Sequence, residues 1–168
     1  MEITTKDRRT ALDRRIQLGG DSLVQRLGYL QQMLGIQLNL SKIDGLLTKI
    51  QLESARPSGY DPRSANALKI AREDWSLRNI PAHGVIDYHP VIVGPGVEAV
   101  DHMQAWFEAG AADGFWISLD VNSDGIDAFV DEVVPILQER GIFHQDYEGK
   151  TIRENIGAPD QYGIDPRV

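Results

Sequence analysis

The run Asp120-Val121-Asn122-Ser123-Asp124-Gly125 places oxygen-bearing side chains where a calcium loop would need them. Counted as such a loop, Asp120, Asn122 and Asp124 take its first, third and fifth positions, and Gly125 takes the sharp turn that follows. Asp131 then falls at the closing position, where a carboxylate completes the cage. Two departures weaken the pattern. Asp127 stands at a normally apolar position, and Asp131 is shorter than the usual bidentate glutamate. The same residues also read as an Asp/Asn/Gly-rich connection into a helix, with Ser123 or Asp124 as its cap. Both readings stay open at this point: no metal, or a single calcium loop formed by Asp120, Asn122, Asp124 and Asp131.

Little else in the sequence carries chemistry of its own. His83, His89, His102 and His144 form no HExxH motif and no close pair, and Asp101 and His102 read as solvated residues on a helix face. Gly94-Pro95-Gly96 is too short for a dinucleotide fingerprint and reads as a turn. Neither a nucleophile elbow nor a phosphate-binding loop is present. The absence of cysteine removes disulfides, thiolate metal sites and thiol nucleophiles together. No catalytic or cofactor-binding residue can be assigned from these patterns.

The elements that must position these residues fall into two zones divided near Pro90. In the first, Thr4 or Thr5 is expected to cap a helix ending near Leu18, before Gly19-Gly20. Asp21 or Ser22 caps a second, with Leu23, Leu27, Leu30 and Leu34 on one stripe and Gly35 as its stop. Residues 36–62 read as loop. Ser64 is expected to cap a helix to about Asp74, and Ser76 a short one to about Ile80. In the second zone, residues 90–94 read as a short strand and 97–109 as a helix with Val100, Met103 and Phe107 inward. Phe115-Trp116-Ile117-Ser118-Leu119 reads as a buried strand. A helix over 126–139 follows, with Phe129, Val133 and Ile136 or Leu137 inward and Pro135 kinking it. The glycine- and proline-bearing tail, 142–168, is expected to be irregular.

Length and composition bound the possibilities. A chain of 168 residues suffices for one domain with a core, and 42% apolar with 25% charged residues is ordinary for a globular protein. The net charge of −8 repels a phosphate backbone, so neither nucleic acid nor an anionic membrane is an expected partner. Lys6, Arg8, Arg9, Arg14 and Arg15 are interrupted by Asp7 and Asp13 and read as a solvated helix face. No apolar run approaches the ~20 residues of a membrane span, and the polar start Met1-Glu2-Ile3-Thr4-Thr5-Lys6-Asp7 has no signal-peptide pattern. A cytoplasmic protein is expected.

Five blocks in order carry a resemblance. They are Trp106-Phe107-Glu108-Ala109-Gly110, Asp113-Gly114-Phe115, Gly125-Ile126-Asp127-Ala128-Phe129-Val130, Val134-Pro135-Ile136-Leu137-Gln138-Glu139-Arg140-Gly141, and Tyr147-Glu148-Gly149-Lys150-Thr151-Ile152-Arg153. This stretch resembles the C-terminal end of the bacterial-luciferase-like flavin monooxygenases, in the branch of the nitrilotriacetate and dibenzothiophene-sulfone monooxygenases. Residues 10–50, including Ile43-Asp44-Gly45, look like the helical insertion before the last barrel strand of that branch. Two departures stand out. Gly94-Pro95-Gly96-Val97-Glu98 replaces the family's Gly-Thr-Pro-Glu, removing a capping hydroxyl, and Trp116 stands where a smaller polar residue is commoner.

The resemblance implies an α/β, mainly helical chain forming part of a (β/α)8 barrel: a helical insertion over 1–89, the last helix-strand-helix unit over 90–141, and an irregular tail over 142–168. It implies reduced FMN, a separate flavin reductase, O2 and a small organic substrate. A complete barrel needs roughly 250 residues. The family's phosphate loop, of Gln-Ala-Gly-Ser-Ser type, and its catalytic histidine and tyrosine have no counterpart among these 168 residues. Activity of the chain alone is therefore not expected. At the end of the expected strand, Trp116, Ser118 and Asp120 share one face and would line the substrate cavity. Phe115, Ile117 and Leu119 share the other. Two alternatives remain: a non-catalytic truncated or split-gene chain that associates with the missing barrel half or with itself, and a single calcium-loop module.

Overall fold

A computed structural model describes residues 2–3 and 7–158. The chain is mainly helical, and its only sheet among the described residues is a pair of two-residue strands. Strand β1 (Glu2–Ile3) runs parallel to β2 (Val93–Gly94), with Glu2 opposite Val93.

Helix α1 (Arg8–Leu18) starts at Asp7, whose carboxylate accepts the Thr10 amide N–H at 3.0 Å. The expected caps Thr4 and Thr5 lie outside the described residues. That amide hydrogen bond is the main cause holding the Asp7 carboxyl below its ordinary pKa. After a 3-10 turn at Gly20–Ser22, helix α2 (Leu23–Leu34) begins without a side-chain cap; the Ser22 hydroxyl instead donates to the Gly19 carbonyl. It stops at Gly35, whose φ of +65° is the left-handed conformation a side chain would resist.

Residues 36–62 are not all loop. Helix α3 (Lys49–Ser54) forms there because Thr48 and Gln51 close a reciprocal capping box. The Thr-x-x-Gln spacing that signals it is present in the sequence. Helix α4 (Arg63–Ala71) begins one residue before the expected cap and ends earlier, since Asp74 adopts φ +58°. Ser64 lies within the first turn, fully buried, and its hydroxyl has no partner. Helix α5 (Asn79–Ala82) completes this zone. Leu27, Leu30, Leu34, Ala67, Leu77 and Ile80 pack into its core.

Helix α6 (Gly96–Glu108) follows β2, with Pro95 at its N-cap and no capping hydroxyl; Glu98 supplies the acidic first turn instead. The expected helix over 126–139 is two helices, α7 (Asn122–Glu132) and α8 (Val134–Glu139), broken at Val133 where Pro135 enters the first turn of the second. Ala99, Val100, Met103, Val133 and Leu137 form a second core. Gly96 lies so close to α7 that a Cβ there would meet the Glu132 carbonyl oxygen at 2.6 Å. Phe107 faces out, 52% exposed, contrary to the expected inward stripe. In the tail, Thr151 and Glu154 cap a single turn, α9 (Ile152–Asn155).

Helix α1 ties the zones together. Ala11 and Leu12 pack with Ala82 and Val93 in a third cluster. Arg8 pairs with Glu98 at 2.6 Å, Arg14 with Asp124 at 3.0 Å, and Arg15 with Asp87 at 2.8 Å. These arginines were expected to form a solvated face; three of them instead reach across to residues far along the chain.

One expectation fails outright. Residues 115–119 are not part of any sheet strand among the described residues. A strand is held by its ladder, and the single ladder here ends at β2. The alternation survives only in part: Ile117 and Leu119 are half-buried and Trp116 and Ser118 point outward, but Phe115 is exposed as well. Among the described residues there is no closed barrel.

Candidate functional site

The outward residues open onto a cleft of about 490 Å³ beside α6. Trp106, Phe115, Trp116 and Met103 form its apolar and aromatic surfaces, and His89, His102 and Ser118 are its polar residues. Among the described residues no lysine, arginine, aspartate or glutamate lines it. The indole of Trp116 is 97% exposed, while Trp106 and Phe115 are 40% and 38% exposed. His102 and Trp106, one helical turn apart, set their rings 5.0 Å apart at a 36° tilt.

Of the three residues expected to line a cavity, Trp116 and Ser118 meet here. Asp120 does not. It sits 3.4 Å from Arg14 and lines a separate, smaller cleft of about 200 Å³. His89 and His102 are the residues sequence reasoning missed. The spacing of His102 and Trp106 was a usable signal, whereas His89 reaches the cleft through the loop before β2.

Among the described residues Asp120, Asp124 and Asp131 do not come together as a group that could hold a metal ion. Residues 122–132 are helical, which separates oxygens that a twelve-residue loop would converge on one ion. Asp120 and Asp124 are instead bridged by Arg14, and the Asp124 carboxyl is held below its ordinary pKa, first by the Ser123 hydroxyl and then by backbone and Arg14. The side chain of Asn122 lies outside the described residues. Among the described residues no group of three or more His, Asp or Glu side chains could hold a metal ion.

A larger cleft of about 790 Å³ lies between α2 and the start of α4, and it contains Arg26, Arg63, Tyr29 and Tyr88. Its cations are already engaged. Arg63 holds Asp61 at 2.7 Å and lies 4.2 Å from the Tyr88 ring centre, and Arg26 approaches Asp87 at 3.4 Å. The Arg63 guanidinium keeps the Asp61 carboxyl below its ordinary range.

The chain is 36% identical over 138 residues to the N-acetyl-S-(2-succino)cysteine monooxygenase of Bacillus subtilis, a match covering 78% of this chain and 30% of that protein. It is 43% identical over 72 residues to the dibenzothiophene-sulfone monooxygenase of Rhodococcus erythropolis, covering 43% of this chain and 16% of that one. Its fold superposes on the EDTA monooxygenase of Chelativorans sp. BNC1 with a TM-score of 0.58 and 29% identity, over 94% of this chain and 36% of that one. The chain belongs to the bacterial-luciferase-like flavin-dependent monooxygenases. No protein-family model matches it. It spans about a third of the length of these luciferase-like relatives, consistent with a C-terminal portion of such an enzyme.

A flavin mononucleotide needs an anion site for its phosphate and a face for its ring. The aromatic cleft offers ring faces but no cationic side chain, and the arginines of the larger cleft are committed to carboxylates. Neither of these two clefts therefore fits the whole cofactor. Within the described residues no helix is long and apolar enough to cross a membrane.

Proposed function

We propose that this chain forms the C-terminal portion of a two-component monooxygenase, in which reduced FMN from a separate flavin reductase and O2 oxygenate a small organic substrate in the cytoplasm. On this reading residues 1–89 are the helical insertion of a (β/α)8 barrel, 90–141 its last unit and 142–168 its irregular tail. The observation that carries the reading is the likeness to EDTA monooxygenase across 94% of the chain at 29% identity. Trp116 and Ser118 would contribute to the substrate wall, and Asp120, turned toward Arg14, would stand at its edge. The contribution proposed for this chain is binding and water exclusion, since the aromatic cleft carries no cation and Arg26 and Arg63 are paired with carboxylates.

A chimera tests this directly. Residues 1–168 replace the matching portion of EDTA monooxygenase, and the product is assayed with a flavin reductase for oxygenation of organic substrates. Reductase-dependent oxygenation that exceeds free-flavin autoxidation is expected. A folded, flavin-binding chimera that oxygenates no substrate in a broad panel would refute the reading.

A second reading, a non-catalytic chain that associates with a partner or with itself, is favoured by the exposed rings of Phe107 and Trp116. Sedimentation at several concentrations separates it from the first: a persistent monomer with no captured partner removes it.

A further inference from the structure

We infer that the cleft at Trp116 selects a neutral, planar aromatic molecule and rejects polyanions. This rests on the reading of that cleft as part of a substrate wall, and it names the substrate class. The name of one relative points to a polycarboxylate, EDTA, and that of another to a neutral fused-ring sulfone. The lining of this cleft distinguishes between the two. A polycarboxylate leaving water must find cations, because an uncompensated buried carboxylate is costly. No lysine or arginine lines the cleft among the described residues. Arg140, which reaches α6, is paired with Asp101 at 2.8 Å and does not line the cleft.

The aromatic surfaces favour a flat ring positively. Trp106, Phe115 and Trp116 present three ring systems around one opening, and offset or edge contacts with such rings add to what area burial alone supplies. Trp116 is the main platform: an indole left 97% exposed contributes nothing to the core and gains from being covered. The volume of about 490 Å³ falls within the roughly 300–1,000 Å³ typical of small-molecule clefts. His102 and His89 give the ligand polar partners, suited to an oxygen or nitrogen on the ring. The departure of Trp116 from the smaller polar residue commoner at this position thereby acquires a role in specificity.

Two of the three tryptophans line the cleft, so intrinsic fluorescence reports on it. The purified chain is titrated with dibenzofuran, a neutral tricyclic probe, and separately with EDTA. Saturable quenching by dibenzofuran and none by EDTA are expected. Trp116→Ala should weaken probe binding about tenfold, ~1.4 kcal/mol, and Trp116→Phe should retain most of it. Because this side chain is exposed, both variants should keep the wild-type circular dichroism. The thermal shift induced by the probe gives a second readout independent of the missing fluorophore. Equal probe affinity in wild type and Trp116→Ala, or competition by EDTA, overturns the inference. So does a wild-type dimer that Trp116→Ala dissociates, since the cleft is then an interface between copies. An inactive chimera combined with saturable, Trp116-dependent probe binding would remove the proposed function alone. An active chimera without such binding would remove the substrate class alone.

Discussion

Acid should destabilise this protein through His83, and the size of the effect follows from where the ring sits. Its Nε2 is buried without a hydrogen-bond partner, and the ring packs edge-on against Trp75 with centroids 4.7 Å apart. Burial first, then the positive charges of Arg8 and Arg15, depress its pKa from 6.5 to about 4. At pH 7.5 the ring is neutral in both folded and unfolded chains and contributes no pH dependence. As pH falls below 6.5 the unfolded chain takes up a proton that the folded chain refuses, so stability is lost through the window from 6.5 down to about 4. Below that both states are protonated and the loss is complete. Each tenfold difference in proton affinity is worth about 1.4 kcal/mol, giving a ceiling of roughly 3 kcal/mol. The ring is only partly buried, and solvent screening brings the expectation to about 1–2 kcal/mol. The assay is urea unfolding of wild type and His83→Gln at pH 7.5 and pH 4.5. Carboxylates such as Asp61 and Asp124 titrate in both proteins and cancel in the difference. The variant should lose about 1–2 kcal/mol less than wild type on acidification. Parallel losses, or an NMR titration of the His83 ring with a midpoint near 6.5, would refute the reasoning.

Four other outcomes are expected. Gly96→Ala should destabilise by about 1–3 kcal/mol, measured by thermal unfolding, because its Cβ would press on the Glu132 carbonyl. Leu30→Ala, at a fully buried position of the first core, should cost about 2–5 kcal/mol in the same assay. Arg14→Gln should change global stability by less than about 1 kcal/mol, as partly exposed ion pairs do. Its effect should instead appear as faster amide exchange over residues 120–124, and unchanged exchange there would mean Arg14 does not hold that segment. Calorimetric titration with calcium should give no saturable heat at millimolar ion, since 122–132 is helical; a saturable signal lost in Asp124→Asn would restore the loop.

The helices with strong apolar periods were legible. Leu27, Leu30 and Leu34 are buried where the stripe placed them, and Val100, Met103, Val133 and Leu137 form the second core. Pro135 marked the break between α7 and α8 because its missing donor acts locally. The misreadings share a cause: local pattern standing in for tertiary partners. The apolar run 115–119 has strand composition, but composition supplies no ladder. Asp120 and Asp124 have the spacing of calcium-loop ligands, but Arg14 from a distant helix pairs with both. Arg8, Arg14 and Arg15 looked solvated because their carboxylates lie far along the sequence. At the cleft, Phe115 and Ile117 stand beside Trp116 and Ser118, so alternation did not separate the lining, and His89 and His102 became neighbours only through the placement of α6 and the loop before β2.

The reach of helix α1 bears on how the chain is made. Arg14 finds Asp124 across 110 residues, and Arg8 finds Glu98 across 90. At a synthesis rate of about 5–20 residues per second, the first helix waits roughly 5–20 s for that later carboxylate to appear. Its sequence suits the delay. Ala11 and Leu12 are its fully sequestered apolar positions, and the arginines and aspartates around them keep an undocked helix hydrated. The helices of the first core can meanwhile assemble from nearer neighbours, at a smaller cost in loop closure. Helix α1 is thus suited to stay hydrated until its distant partners are made and to dock late.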